Sequence, residues 1–166
     1  MVKFRSIIIG VLVVAVGIGM VLYLSPSEEK KIKKQFRLLA EWVSKEPGET
    51  PVTMAHKAKS IGTLFDQTCE FKIPAYSFSG SYTPEEISGY ATQGRLSFSQ
   101  LDLRFYDLQI VFPEKEIARV TFTARLTGKL AVGESVNEAH EVESILKKIE
   151  KRWLFSQFEA VEVLKK

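Results

Sequence analysis

The sequence predicts an α+β fold in which three helices pack on one face of a strongly bent, mostly antiparallel sheet. Helix-start signals occur in the first half of the chain, and from Leu101 onward apolar residues alternate with polar ones. Helices and strands that are segregated along a chain are typical of this architecture. An apolar run from Ile7 to Leu24 precedes them and predicts an N-terminal transmembrane helix.

The apolar run contains no charged side chain. Eighteen residues in helical geometry extend roughly 27 Å, close to the thickness of a bilayer's hydrocarbon core. A cleaved secretory signal would have a shorter apolar region and a small-x-small cleavage site, which the segment 22–26 lacks. We therefore expect an uncleaved anchor at residues 1–24, with a cleaved signal peptide as the alternative, and a water-soluble domain at residues 25–166.

The charges that flank the run bear on orientation. Lys3 and Arg5 favour a cytoplasmic N-terminus and a domain on the exported, periplasmic or extracellular, side. A second basic group lies just beyond the run and opposes that orientation. This group either contacts lipid phosphates at the membrane surface or forms a solvated helix face. Its members are Lys30, Lys31, Lys33, Lys34 and Arg37.

The balance of charge and the few ligand-type residues exclude several functions. The chain has 23 Lys plus Arg; without Lys3 and Arg5 the remaining 21 face 20 Asp plus Glu, too balanced to attract nucleic acid. The single Cys69 excludes an intrachain disulfide and a multi-cysteine metal site. His56 and His140 lack the partners and spacing that zinc sites favour. We expect no nucleic-acid partner, no metal and no cofactor.

Three hydroxyl–proline pairs, at residues 25–26, 50–51 and 83–84, predict helix starts. The hydroxyl caps a free backbone N–H, and proline supplies a helical φ at the first position. The predicted helices run from 26 to about 45, from 51 to about 65, and onward from 84. In the first of them, Ile32, Phe36, Leu39 and Val43 recur at helical spacing and form its buried side.

The strands are predicted from alternation. A short strand runs from Cys69 to Ile73, and a loop rich in Ser, Gly and Tyr follows it. In the long strand that begins at Leu101, the apolar parity changes between Phe105 and Tyr106, which predicts a β-bulge. Further strands are predicted over residues 118–126, 136–146 and 152–164, with turns between them.

The element order, the bulged strand through Phe105 and Tyr106, and the Trp-containing ending at residues 151–155 resemble the nuclear transport factor 2-like superfamily, or cystatin-like cone fold. The resemblance covers about residues 25–164 and implies a cone-shaped domain with a pocket between the concave sheet and the helices. Isomerases of this family carry an acidic residue before a proline after the first strand. Here Ile73 precedes Pro74, and because isoleucine cannot transfer a proton, isomerase chemistry is not expected.

The expected pocket has six candidate lining residues. Among them, Asp107 and His140 are the candidate acid/base pair, because His140 shares the parity of its apolar neighbours and Asp107 continues that of Leu101. In the alternative interpretation, His140 is a hydrogen-bonded core residue and the bulge turns Asp107 outward. The full set is Trp42, Tyr90, Asp107, Gln109, His140 and Gln157.

Two functional hypotheses follow. In the first, the chain is a membrane-anchored, non-enzymatic module that binds an unidentified protein partner or assembles with copies of itself, for example as a homodimer through the sheet. In the second, it is a small-molecule binding protein or a lyase/isomerase-type enzyme that uses the cone cavity. A pocket filled by Trp42, Phe105 and Phe158 favours the first, and a deep open pocket containing Asp107 and His140 favours the second.

Overall fold

The computed structural model describes residues 27–74 and 77–161. The chain divides into two compact units, residues 1–31 and residues 32–166, and all described elements except the first turn of one helix belong to the second unit. The predicted anchor lies outside the described residues. Among the residues that are described, no helix is long and apolar enough to cross a membrane.

Three helices and six strands make up the described part of the chain. The strands form one mixed sheet in the order β2-β1-β6-β5-β4-β3, in which β1 and β6 are parallel and the other neighbours are antiparallel. The predicted α+β class, with three helices on a curved sheet, is confirmed. The elements are α1 (Glu28–Val43), α2 (Pro51–Gly62), β1 (Phe65–Ile73), β2 (Phe78–Tyr82), α3 (Pro84–Ser97), β3 (Phe98–Glu114), β4 (Ile117–Leu130), β5 (Ser135–Ile149) and β6 (Arg152–Val161).

The predicted caps begin α2 and α3. Thr83 Oγ1 accepts from the backbone N–H of Glu86 at 3.3 Å, and the Glu86 carboxylate accepts from the N–H of Thr83 at 2.8 Å, which completes a capping box. Thr50 Oγ1 accepts from the N–H of Thr53 at 3.2 Å. α1 begins at Glu28, two residues later than predicted, and Ser27 Oγ accepts from the N–H of Lys30 at 3.3 Å.

The prediction for the region before α3 was wrong in two respects. β1 begins at Phe65 rather than Cys69, and the predicted loop contains the edge strand β2. Alternation is hidden in β2 because Gly80 occupies the middle of its apolar face. The rings of Phe78 and Tyr82 lean over this glycine and stack at 5.0 Å, and an added Cβ there would come within 3.1 Å of the Tyr82 side chain.

The predicted bulge in β3 is confirmed. Tyr106 pairs with Thr123 and Gln109 pairs with Thr121, so two residues of β3 face one residue of β4. Asp107 accommodates the extra residue with φ of 57°, a conformation that Asp tolerates better than most residues. Before and after the bulge, apolar side chains of β3 therefore point to the same, helix-facing side of the sheet.

The core lies between the helices and that face of the sheet. Phe36 of α1 is central to it, with edge-to-face contacts to Phe105, Phe122 and Phe155 at centroid distances of 4.9 to 5.3 Å. Trp153, from the predicted Trp-containing ending, is also buried. The ring contacts of Phe36 hold α1 across the strands β3, β4 and β6.

Arg95 of α3 forms a buried polar connection between two helix ends. Its side chain is 1% exposed, and Nη1 donates to the carbonyl oxygens of Trp42, Val43 and Ser44 at 2.6 to 2.7 Å, which lie at and just after the end of α1. Nη2 donates to the carboxylate of Glu49. These bonds satisfy carbonyls that a helix end leaves without intrahelical partners.

Lys45, just after the end of α1, contacts the end of α3 in the same way as Arg95 of α3 contacts the end of α1. Its Nζ donates to the carbonyl oxygens of Arg95 and Phe98, at the end of α3, at 2.9 and 2.6 Å. The Lys45 backbone also pairs with Leu101 at the start of β3. The side chains of Arg95 and Lys45 therefore connect the ends of α1 and α3 by hydrogen bonds to their carbonyl oxygens.

We predict that Arg95→Met lowers the free energy of unfolding by about 3–5 kcal/mol, because it leaves Glu49 and three carbonyls buried without their main partner. Chemical denaturation of the two proteins measures this. Arg104→Met is the matched control, because Arg104 pairs with Asp102 in a solvent-exposed ion pair and its removal should leave stability unchanged. Equal stability of wild type and Arg95→Met would contradict the role assigned to Arg95.

Gly62 allows α2 to approach α3. A Cβ added at this position would lie 2.5 Å from Ser88 Oγ and 2.7 Å from the carbonyl oxygen of Pro84, whereas a Cβ at Gly89 would meet nothing within 4 Å.

We therefore predict opposite effects on stability when Gly62 and Gly89 are each replaced by alanine. Gly62→Ala should destabilise by about 1–3 kcal/mol through steric overlap, and Gly89→Ala should stabilise by about 0.5–1 kcal/mol through helix propensity. Thermal denaturation distinguishes the two signs.

Cys69 of β1 is fully buried. Burial, with smaller contributions from Asp66 and Glu70, raises the pKa of its thiol from 9.0 to about 12. We predict that a thiol-reactive aromatic disulfide at pH 8 labels the denatured protein fully and the native protein hardly at all. An Ala139→Cys variant, with an exposed second thiol, should label once in the native state. Rapid labelling of the native wild type would contradict the prediction.

The same shift predicts how this thiol affects stability. The pKa of the Cys69 thiol is higher in the folded state than in the unfolded state. The contribution of the neutral thiol to the free energy of unfolding is therefore complete below about pH 9 and is lost as the pH rises toward 12.

Candidate functional site

A cavity of about 350 Å³ lies between the three helices and the concave face of the sheet. It has walls from α1, α2 and α3 and from all six strands. Its volume falls in the range typical of small-molecule sites. The lining residues are Leu39, Val43, Ile61, Phe65, Phe71, Ile73, Phe78, Tyr82, Ile87, Tyr90, Ala91, Leu103, Phe105, Phe122, Ala124, Val142, Phe158 and Ala160.

The cavity has a closed end and an open end. At the closed end, the lining residues Ile61, Phe65 and Phe122 are all buried. At the open end, Tyr90 is 51% exposed, and Ala124 and Ala160 are half-buried. A molecule that enters would therefore move from the exposed side of α3 toward the junction of α2 and β1.

Aromatic rings form the wall near the opening. The stacked pair of Phe78 and Tyr82 meets the ring of Tyr90 edge to face, at 6.0 and 5.4 Å. Deeper inside, Phe71 and Phe158 stack with an angle of 8° between their planes. Each of these rings would lose a contact with a neighbouring ring if it rotated. The contacts therefore stabilise the orientation of the cavity walls.

The lining has a single chemical character. Within the described residues it contains no carboxylate, imidazole, amine, guanidinium or thiol, and its polar side-chain atoms are the hydroxyl oxygens of Tyr82 and Tyr90. Ile73 is part of this lining, at the position where the resemblance would have required an acid. The described walls can therefore bind apolar surface, and their titratable side chains are those of Tyr82 and Tyr90.

Of the six residues predicted to line the pocket, Tyr90 lies in the cavity wall. Trp42 packs against the core, and its carbonyl accepts from Arg95. Gln157 is half-buried, and its Nε2 donates to Glu159 Oε2 at 3.3 Å.

Asp107 and Gln109 lie on the exposed side of the bulge. They border a separate groove together with Thr121, Thr123 and Glu141. This is the placement that the alternative interpretation gave for Asp107, because the bulge turns its side chain away from the cavity.

His140 projects from the same face of the sheet as the cavity but beyond the lining residues. It pairs with Ala124 on β4, and its Nε2 lies 3.6 Å from Glu138 Oε2. The structure therefore does not bring Asp107 and His140 together inside the cavity. A catalytic role for that pair stays a prediction, and the two side chains do not line one common pocket.

The basic group on α1 is solvent-facing. Lys30, Lys33, Lys34 and Arg37 are exposed or partly exposed, and Lys31 pairs with Glu28 at 2.8 Å. Contact of these side chains with lipid stays a prediction. In the described ranges, no group of three or more His, Cys, Asp or Glu is arranged to hold a metal ion.

The β1–β2 hairpin contributes the lining residues that the sequence did not indicate. Phe71, Ile73, Phe78 and Tyr82 all belong to it. The alternation of Phe71 and Ile73 was visible, but the apolar face of β2 shows two aromatic residues separated by Ser-Gly-Ser, a composition typical of a loop.

No family model and no curated protein matches the sequence. Solved structures do share the fold, and those that are most similar include nuclear transport factor 2-like cone proteins, as the resemblance implied. Aln2 from a Streptomyces species is 15% identical, with 82% of this chain and 90% of that chain covered and a TM-score of 0.62.

Two further matches are named as small-molecule enzymes. A protein of Novosphingobium aromaticivorans, proposed to be a scytalone dehydratase, is 14% identical, with 82% of this chain and 85% of that chain covered and a TM-score of 0.64. A hexachlorocyclohexane dehydrochlorinase, LinA type 2, is 13% identical, with 81% of this chain and 84% of that chain covered and a TM-score of 0.65. At such identities the likeness establishes the fold of this chain and not its reaction.

These findings correct the first functional hypothesis. A membrane-anchored module for protein interaction is wrong as the main interpretation, because the similar structures are mostly small-molecule proteins. The cavity is also open rather than filled: Phe105 and Phe158 stand in its wall, and Trp42 is not among its lining residues. The small-molecule alternative agrees better with the cone fold and its open cavity.

Proposed function

We propose that this domain binds an apolar small molecule in the cavity between its helices and its sheet. The observation that carries the proposal is an open space of about 350 Å³ whose eighteen lining residues are all aliphatic or aromatic. An empty apolar cavity of this size costs stability, because its walls lack the dispersion contacts of a packed core. An apolar ligand restores those contacts and stabilises the fold.

The lining also restricts what the buried part of the ligand can be. A polar atom placed deep in the cavity would lose its hydrogen bonds to water and find no partner near Phe65, Ile61 or Phe122. Such burial costs several kcal/mol in a site that offers no hydrogen bond. The buried part of the ligand is therefore hydrocarbon-like.

The volume gives an approximate size. An apolar cavity of about 150 Å³ accommodates benzene, so about 350 Å³ accommodates a body of roughly ten to fifteen carbon atoms. At about 0.5 kcal/mol per non-hydrogen atom, such a ligand binds with a Kd between roughly a few micromolar and a few hundred micromolar.

The residue types of the described lining favour binding of the buried part of the ligand over catalysis on it. Proton transfer needs a titratable group within hydrogen-bond reach of the substrate, and the described lining offers neither a carboxylate nor an imidazole. The protein therefore acts by holding, carrying or sensing its ligand.

We predict that Ala160→Phe, which extends a ring into the open half of the cavity, weakens binding of naphthalene at least tenfold. The apolar ligand and the new ring compete for the same volume. Equilibrium dialysis of full-length protein measures the affinity, and calorimetry should record a negative heat-capacity change on binding to the wild type.

Ala139→Phe is the matched control, because Ala139 is exposed on β5 and points to the opposite face of the sheet. It should leave binding unchanged. If Ala160→Phe and Ala139→Phe bound naphthalene equally well, or if the wild type bound none, the cavity would not be the binding site.

A further inference from the structure

A histidine and a glutamate lie at the rim of the cavity and have no part in its apolar lining. They are His140 and Glu138 of β5, with side chains 43% and 45% exposed. Their nearest nitrogen and oxygen atoms are 3.6 Å apart, slightly beyond hydrogen-bond distance. A donor and an acceptor therefore lie side by side at the edge of an apolar space.

The strand register places this pair beside the cavity. His140 is the direct partner of Ala124 across β4 and β5, and Val142 lies two residues further along the same strand. Residues that are paired across antiparallel strands, or separated by two along one strand, project from the same face. Because Ala124 and Val142 are both lining residues, His140 stands next to the wall, and Glu138 follows two residues further out.

The two side chains complement a hydroxyl group. A hydroxyl both accepts and donates, so it can accept from an imidazole N–H and donate to the carboxylate of Glu138. A carboxylate on the ligand cannot donate in return and would be repelled by Glu138. A plain hydrocarbon makes neither bond.

We infer that the ligand is an amphiphile with an apolar body inside the cavity and a hydroxyl end bound at the rim by His140 and Glu138. This inference rests on the proposed function and adds to it the class of ligand and its orientation. The body lies against the aromatic walls, and the hydroxyl remains at the opening, where water and two polar side chains replace its lost hydrogen bonds. Alcohols and phenols are thereby favoured over hydrocarbons and carboxylic acids of the same skeleton.

Three probes with one skeleton test the inference on full-length protein: naphthalene, 2-naphthol and 2-naphthoate. We expect 2-naphthol to bind about tenfold more tightly than naphthalene, since it gains two hydrogen bonds at the rim. We expect 2-naphthoate to bind no more tightly than naphthalene. The affinities are measured at pH 7, where 2-naphthol is neutral.

His140→Phe retains a ring at the rim but removes the N–H groups. In this variant the preference for 2-naphthol over naphthalene should disappear, while the affinity for naphthalene stays the same. His56→Phe is the matched control, because His56 is exposed on α2 and should leave the preference intact. Thermal denaturation of each variant verifies that it is folded.

The outcomes separate the two proposals. If naphthalene binds but 2-naphthol has no advantage, or the advantage survives in His140→Phe, the rim assignment is wrong and the proposed function stands. If 2-naphthoate binds best, the rim recognises anions and the hydroxyl assignment is also wrong. If naphthalene does not bind to the wild type at all, the proposed function fails, and this inference fails with it.

Discussion

The buried guanidinium of Arg95 connects two of the helices that enclose the cavity. It ties α3 to the carbonyls at the end of α1 and to Glu49, and Lys45 returns the contact to the end of α3. Burial lowers the pKa of Arg95, and the charge and hydrogen bond of Glu49 oppose that shift. Since α1 and α3 both supply cavity walls, these hydrogen bonds join two of the elements that enclose the cavity.

The sheet contributes the other half of the enclosure, and two local features of its strands shape that half. The bulge at Asp107 keeps the apolar side chains of the long strand β3 on one face while the strand bends. Gly80 lets two rings of β2 stack against each other at the opening. The bulge in β3 and the glycine in β2 both help to form an apolar space that is lined by aromatic rings in mutual contact.

A shared fold does not carry a shared reaction. The cone of this chain matches proteins named as a dehydratase and a dehydrochlorinase at 13 to 14% identity, yet its lining has Ile73 where the family resemblance would have required an acid. Chemistry belongs to the residues that line a site and not to the backbone that positions them. Here those residues favour the burial of hydrocarbon, and the polar pair His140 and Glu138 stands outside the lining.

Local patterns along the chain were enough to predict the α+β class, the starts of α2 and α3 and the bulge in β3. Each of these features depends on residues within a few positions of one another in the sequence. Helix caps and the alternation of apolar residues can therefore be recognised from the sequence itself. Other features emerged only from the folded molecule: β2 is a strand, Asp107 and His140 do not meet, and the cavity is open. These features depend on contacts between residues far apart in sequence, such as the pairing of Phe71 with Gly80 and of Ala124 with His140, and no local pattern encodes such contacts.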